Sequence, residues 1–427
     1  MTTNWTPRDG VSYGLLGLPL AFVALPLYVV LPNYYARDLG VPLATLGAVL
    51  LGARLFDALI DPWLGRLCDR LFASGTARLL RVCIAAAVVL ALGFAALFFP
   101  PVRGDALLVW AMAALVVTYT AYSMVSVAHQ SWGARLGGDA AQRSRIVAWR
   151  EGLGLAGVLV ASVLPVVAGL GVTTAVFVMA LAAGMAAWMR APQPVARPAA
   201  ASAPSAQEGA ATVTPPLWLP LARPGFVALL SVFVLNGIAS AIPATLVLFF
   251  IQDLLQAPKA LEGLFLAAYF LAAALSIPLW LRAVARWGLW RAWLGGMLLA
   301  VAVFIWAANL GSGDVIPFML VCALSGIALG ADLAAPPALL AGLIQTNGEH
   351  GQGEGAYFGW WNFATKLNLA LAAGLALPAL ALFGYTPGAR SPAALQALVF
   401  AYCILPCALK LVAALALFYC AKARKFV

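Results

Sequence analysis

Charge is scarce in this chain. Only 9% of its 427 residues are Asp, Glu, Lys or Arg, against about 25% in an ordinary soluble domain, and that shortage excludes a water-soluble globular protein. Histidine occurs twice. The six cysteines, Cys68, Cys83, Cys322, Cys403, Cys407 and Cys420, do not cluster with either histidine. They are expected to be small packing residues, and no metal site follows from them, since two thiols one turn apart at 403 and 407 do not make a ligand set. The sequence has no Walker-type phosphate loop, no zinc motif and no nucleophile constellation, so neither an enzyme nor an ATP-driven pump is expected, and no cofactor. The opening MTTNWTPRDG lacks the basic region of a signal peptide, and the first apolar run is expected to be a retained helix.

What the chain has instead is hydrocarbon: 64% of it is hydrophobic and its mean hydropathy is +0.97. Apolar runs long enough to cross a core of about 30 Å as a helix recur at 12–35, 42–64, 79–99, 106–130, 145–169, 172–189, 225–251, 261–281, 291–310, 316–344, 356–383 and 394–420. Hydrocarbon offers the backbone no outside hydrogen-bond partner, and the runs lack the alternation of a barrel. The expected fold is therefore an all-α membrane protein of twelve transmembrane helices. With the N-terminus inside, seventeen Lys and Arg fall on inner segments, and only Arg37, Arg103, Lys259 and Arg390 fall outside. Both termini are thus expected in the cytoplasm, in a plasma or bacterial inner membrane. The +10 net charge is absorbed by this topology and by anionic lipid, so the bilayer is a partner and nucleic acid is not. A monomer is expected.

Residues 191–224 are rich in Pro, Ala and Ser, cannot bury a core, and read as a cytoplasmic linker between six-helix bundles at 1–190 and 225–427. Shifting the sequence by 216 positions lays Pro42 on Pro258, Gly47 on Gly263, Pro62 on Pro278, Arg66 on Arg282 and Arg70 on Arg286. Two parallel six-helix pseudo-repeats of this kind are the arrangement of the major facilitator fold.

Inside the second run, ARLFDALIDPWLG places Arg54, Asp57 and Asp61 on one stripe at i, i+3 and i+7. The repeat has Phe270, Ala273 and Ile277 at those positions, so the fold does not require the charges. Each costs about 2.5 to 3.5 kcal/mol at a helix centre on insertion scales. Two carboxylates one turn apart resist joint ionisation, which favours uptake of a proton or small cation, and Arg54 is the charge partner that can neutralise one of them. A buried ion pair that merely fastens helices is the competing explanation, and it leaves the surplus acid without a role.

RLFDALIDPWLG, with SYG at Ser12 to Gly14 before it and GQGEGAYFGWWNFATKL from Gly351 to Leu367 after it, resembles the glycoside-pentoside-hexuronide cation symporter family over nearly the whole chain. GRLCDR, Gly65 to Arg70, resembles the superfamily signature of the loop after the second helix, and Gly65, Asp69 and Arg70 are its expected inner-gate residues. The resemblance implies a secondary transporter working by alternating access, with Asp57, Asp61 and Thr120 coupling a cation. It also implies that Arg150 and Lys366 match the helix-five arginine and the helix-eleven lysine. Ile60 stands where the family's best-known member has an asparagine, which removes an oxygen ligand and favours H⁺ over Na⁺. The sugar-holding acids of that member correspond to Ala21 and Ser123, which argues against the same sugar pose. The solute is expected to be small and polar, anionic or amphipathic. The same fold serves a carrier of lysolipids, and a proton-coupled exporter or a transporter-fold receptor remain alternatives.

Candidate residues for the solute are Tyr119, Tyr122, Ser123, Ser126, Trp149, Arg150, Asp332, Trp361, Asn362 and Lys366. Of the adjacent Trp360 and Trp361, only one can face a cavity. Lys366 is a possible partner for Asp332, and Glu151 is expected to point away from Arg150, since sequence neighbours do not share a helical face. His129 reads as a hydrogen-bonded structural histidine rather than a proton relay. Pro19, Pro26 and Pro32 are expected to bend the first helix, and Pro336 and Pro337 the tenth.

Overall fold

The structure is a computed structural model that describes residues 5–423, apart from 42, 105, 195–215, 352, 383, 384, 386, 387 and 389. Most of the expected linker therefore lies outside the described residues, as do Pro42, Arg197, Arg424 and Lys425.

Helix is the only extended secondary structure among the described residues. We number the helices α1 (7–37), α2 (Leu43–Ala73), α3 (Thr76–Phe98), α4 (Ala106–Arg135), α5 (Ala140–Pro165), α6 (Val167–Trp188), α7 (Pro224–Leu254), α8 (Lys259–Trp287), α9 (Leu289–Ala307), α10 (Val315–Thr346), α11 (Glu354–Leu382) and α12 (Pro392–Lys422). Ten of these contain stretches that are long and apolar enough, among the described residues, to cross a membrane. The other two, α2 and α11, are 31 and 29 residues long. They complete the twelve.

Local chemistry explains the interruptions. Gly169 adopts φ 76°, a backbone setting that side chains disfavour, and it kinks the continuous run Ala140–Trp188 two residues into α6, without a loop. The first helix breaks after Gly14 and again near Val23, and then winds as a π-turn over Pro26–Val30, so its expected bends are present. The tenth helix instead runs unbroken through Pro336 and Pro337. In a bundle, neighbouring groups can satisfy the backbone that a proline frees.

The chain divides into two compact units. The first is Met1–Ala222 with Ile344–Phe363, and the second is Arg223–Leu343 with Ala364–Val427. The boundary thus falls within α11, whose first turns group with α1–α6 rather than with residues 225–427.

In the first unit glycines bring backbones together, the packing device available where lipid supplies no hydrophobic drive. A Cβ on Gly17 would stand 2.4 Å from the Arg150 carbonyl oxygen, and one on Gly157 would stand 2.1 Å from that of Leu18, so α1 and α5 touch along their main chains. Phe22, Phe94 and Phe177 stack behind them. The second unit uses the same device at Gly326, where a Cβ would meet the Tyr269 carbonyl oxygen at 2.2 Å. Its core centres on Phe250, Phe318 and Tyr402. Ala273 and Ile277, the repeat counterparts of the two acids, are buried on α8.

Candidate functional site

Asp57 and Asp61 are 2% and 0% exposed on α2, one turn apart. Ser123 on α4 donates its hydroxyl to Asp57 Oδ1 at 2.9 Å. The serine assigned to the solute by resemblance therefore belongs to the carboxylate's own surroundings. Thr120, three residues earlier on the same helix, donates instead to the Val116 carbonyl at 2.7 Å. Arg54 is exposed, and its guanidinium lies 4.6 Å from the centroid of the Tyr28 ring, a cation–π contact. Tyr119 is buried beside Tyr28, with ring centroids 6.3 Å apart.

One turn below the acids, the first turns of α11 press directly on α2. A Cβ on Gly359 would stand 2.6 Å from the Asp61 carbonyl oxygen, and a Cβ on Gly65 would stand 2.1 Å from that of Gly355. The contact ends in a charged cap. Asp69 accepts from the backbone N–H groups of Gly355 at 2.7 Å and Ala356 at 2.8 Å, which are orphan donors of the α11 N-terminus. Arg135, at the end of α4, reaches Asp69 at 2.9 Å and Glu354 at 3.0 Å, and donates to the Gly351 carbonyl at 2.7 Å. His350 approaches Glu354 at 3.3 Å. Of the three expected gate residues, Asp69 and Gly65 sit in this cap, whereas Arg70 is exposed. Arg135 was not foreseen. The signal available for it was a lone arginine closing an apolar helix.

Beside α4, Gln130 bridges Ser126 at 3.0 Å and Asn362 at 3.2 Å, so two of the solute candidates share one amide. Trp361 is buried at 3% exposure. Its neighbour Trp360 turns away, donating to the Leu217 carbonyl at 3.0 Å and packing on Trp218. Trp149 packs against α1, where a Cβ on Gly10 would meet its indole at 2.2 Å. Arg150 pairs with Glu151 at 2.5 Å, which corrects the expectation that Glu151 points elsewhere. Adjacent residues leave a helix in different directions, but these two side chains are long enough to close the gap. His129 is fully buried and its Nε2 lies 2.8 Å from the Tyr13 carbonyl oxygen, the structural role expected of it.

In the second unit Asp332 pairs with Lys410 of α12 at 3.0 Å. Lys366 was the partner considered from sequence. It is partly buried on the portion of α11 that belongs to this unit. Asp332 Oδ1 also accepts from Trp293 Nε1 at 2.8 Å and from Asn236 Nδ2 at 3.1 Å. The Lys410 ammonium donates further to Asn236 Oδ1 at 2.7 Å and to the Ser240 hydroxyl at 3.1 Å. Four helices, α7, α9, α10 and α12, meet at this network.

The sequence matches the family model for MFS/sugar transport proteins over residues 12–421. It is 28% identical over 174 residues to the putative glycoside/cation symporter YagG of Escherichia coli strain K12, an alignment that covers 40% of this chain and 37% of that relative. The fold is similar to that of a bacterial homologue of the iron transporter ferroportin in an outward-facing state (TM-score 0.69, 15% identity, 97% of this chain and 99% of that one). It is also similar to that of the major facilitator transporter FucP in the outward conformation (TM-score 0.62, 13% identity, 96% and 97%). At such identities the two structures speak for the fold alone.

Proposed function

We propose that this chain, which belongs to the MFS/sugar transport family and is similar over part of its length to a putative glycoside/cation symporter, couples entry of a cation, H⁺ rather than Na⁺, to movement of a small solute by alternating access. The observation that carries this reading is the pair of buried carboxylates on α2 with a serine hydroxyl on the first of them. A proton relieves the mutual repulsion of such a pair without needing further ligands. A sodium ion calls for several oxygens, and Ile60 adds none. Asp69 with Arg135 forms the latch on the cytoplasmic side. The protein sits in a plasma or bacterial inner membrane with both termini inside. It acts as a carrier and not as an enzyme, and as a monomer.

The solute is small and polar, anionic or amphipathic. Support comes from a candidate set that mixes aromatic faces with both charge signs, Tyr119, Tyr122, Ser126, Trp149, Arg150, Asp332, Trp361, Asn362 and Lys366. A stabilisation screen of the purified protein across sugars, organic anions and lysolipids identifies the class, since a ligand bound only by the folded state raises its melting temperature. With the solute so found, uptake into cells is expected to collapse with a protonophore and to survive replacement of sodium. Strict dependence on sodium at a clamped pH gradient reverses the choice of ion.

A further inference from the structure

The second unit contains a half-open pocket of about 300 Å³ walled by side chains from α7, α8, α9, α10 and α12. Phe265, Tyr269, Phe304 and Tyr402 give it an aromatic wall, and Asp332 and Lys410 are its charged lining residues. We propose that this cavity is a binding site for a small, net-neutral amphiphile, a molecule with an apolar or aromatic body and one hydrogen-bonding group such as a hydroxyl. The site lies wholly within the second unit and shares Asp332 with the solute candidates; it goes beyond the coupling reading and does not rest on it.

Three features fix the class of ligand. The volume is at the small end of ligand sites, and the predominantly apolar lining with convergent polar groups is the usual make-up of such a site. The charges in the wall cancel, because Lys410 and Asp332 pair at 3.0 Å. A charged ligand would therefore bring one uncompensated charge into a largely apolar pocket, whereas a neutral one brings none. The pair is also held from behind. Trp293 and Asn236 engage Asp332 Oδ1, and Asn236 and Ser240 accept from the ammonium. The three ammonium protons of Lys410 go to Asn236, Ser240 and Asp332, whereas a carboxylate keeps lone pairs to spare and Asp332 is 15% exposed, so the carboxylate is the group available to a ligand hydroxyl. Fastening helices alone does not call for such a pair, since well-packed apolar residues of similar volume serve as well or better.

Three probes with one naphthalene body test this: 2-naphthalenemethanol, 2-naphthylmethylammonium and 2-naphthoate. Binding is measured by equilibrium dialysis against the full chain in nanodiscs, with empty nanodiscs subtracted. The alcohol is expected to bind at least about tenfold tighter than either charged probe, and Ala244→Phe, which places a ring in the cavity from α7, is expected to weaken it by at least about tenfold. Asp332→Asn leaves Lys410 without its counter-charge and is expected to make naphthoate the tightest of the three; Lys410→Gln is expected to do the same for the ammonium. Should either single variant fail to elute as a folded protein, the double variant Asp332→Asn/Lys410→Gln, again without net charge, is expected to keep the alcohol in first place. Retention of the alcohol no greater than in empty nanodiscs, charged probes binding as tightly as the alcohol, or alcohol binding that survives a folded Ala244→Phe each overturns the proposal. None of these outcomes bears on coupling at Asp57 and Asp61, because no transport is measured.

Discussion

A buried carboxylate is defined by what donates to it, and for Asp57 the donor named by the geometry is the Ser123 hydroxyl. Hydrogen bonds to a charged group contribute about 1.5 to 3 kcal/mol. Ser123→Ala removes this donor, so proton-driven uptake by the folded variant is expected to fall below the parent's while solute exchange persists. Uptake at the parent's level in a folded Ser123→Ala protein removes Ser123 from the coupling site. At this scale the sequence was legible where a charge had no counterpart in the repeat, as with Asp57 and Asp61 against Ala273 and Ile277. It was not legible for Ser123, whose partner is 66 positions away and whose resemblance pointed to the solute instead. Lys410 was open to the same reasoning as Lys366, a lysine inside an apolar helix, yet its partner depends on which helices meet around Asp332. Glu151 shows the limit of helical-face geometry, since it speaks of Cβ directions and not of how far a long side chain can fold back.

At the scale of elements, α2 and the first turns of α11 form one structural device. Glycines at 65, 355 and 359 let the two backbones touch, and Asp69 caps the helix that arrives there. Asp69→Ala removes the acceptor of the Gly355 and Ala356 N–H groups and the partner of Arg135, with a loss of about 0.5 to 2 kcal/mol, the scale of a lost helix cap. Gly355→Leu drives a side chain into the Gly65 carbonyl oxygen, where the first added carbon alone would stand at 2.2 Å, at about 1 to 3 kcal/mol for overpacking. Both variants should melt earlier than the parent in detergent, and Gly47→Ala, with open space around its Cβ position, should not. An unchanged melting temperature in Gly355→Leu contradicts the close approach. Twelve helices and their order could be read from hydropathy alone, because span length is imposed by the bilayer. The break at Gly169 fell at the expected boundary, but the continuity of α10 through two prolines did not show, since the groups that satisfy a freed backbone come from neighbours that a linear pattern does not name.

For the whole molecule, each unit has its own buried charge system. The first holds two acids and a serine hydroxyl on α2 and α4; the second holds a balanced acid–lysine pair among α7, α9, α10 and α12. The internal repeat explains why the helices of the two units correspond, and the departures from it mark where chemistry was added to a shared scaffold. The division within α11 was not legible from the linker, which suggested a cut at 225; it follows from glycine contacts and a capping acid that only the folded backbone brings together. The central claim is that Asp57 and Asp61 convert a cation gradient into solute accumulation. The most direct measurement sets an imposed pH gradient across proteoliposomes and follows both accumulation and equilibrium exchange of the solute identified by the stabilisation screen, in the parent, in Asp57→Asn and in Asp61→Asn. The account predicts accumulation in the parent only, with exchange retained in both variants; accumulation by either variant to the parent's level contradicts it.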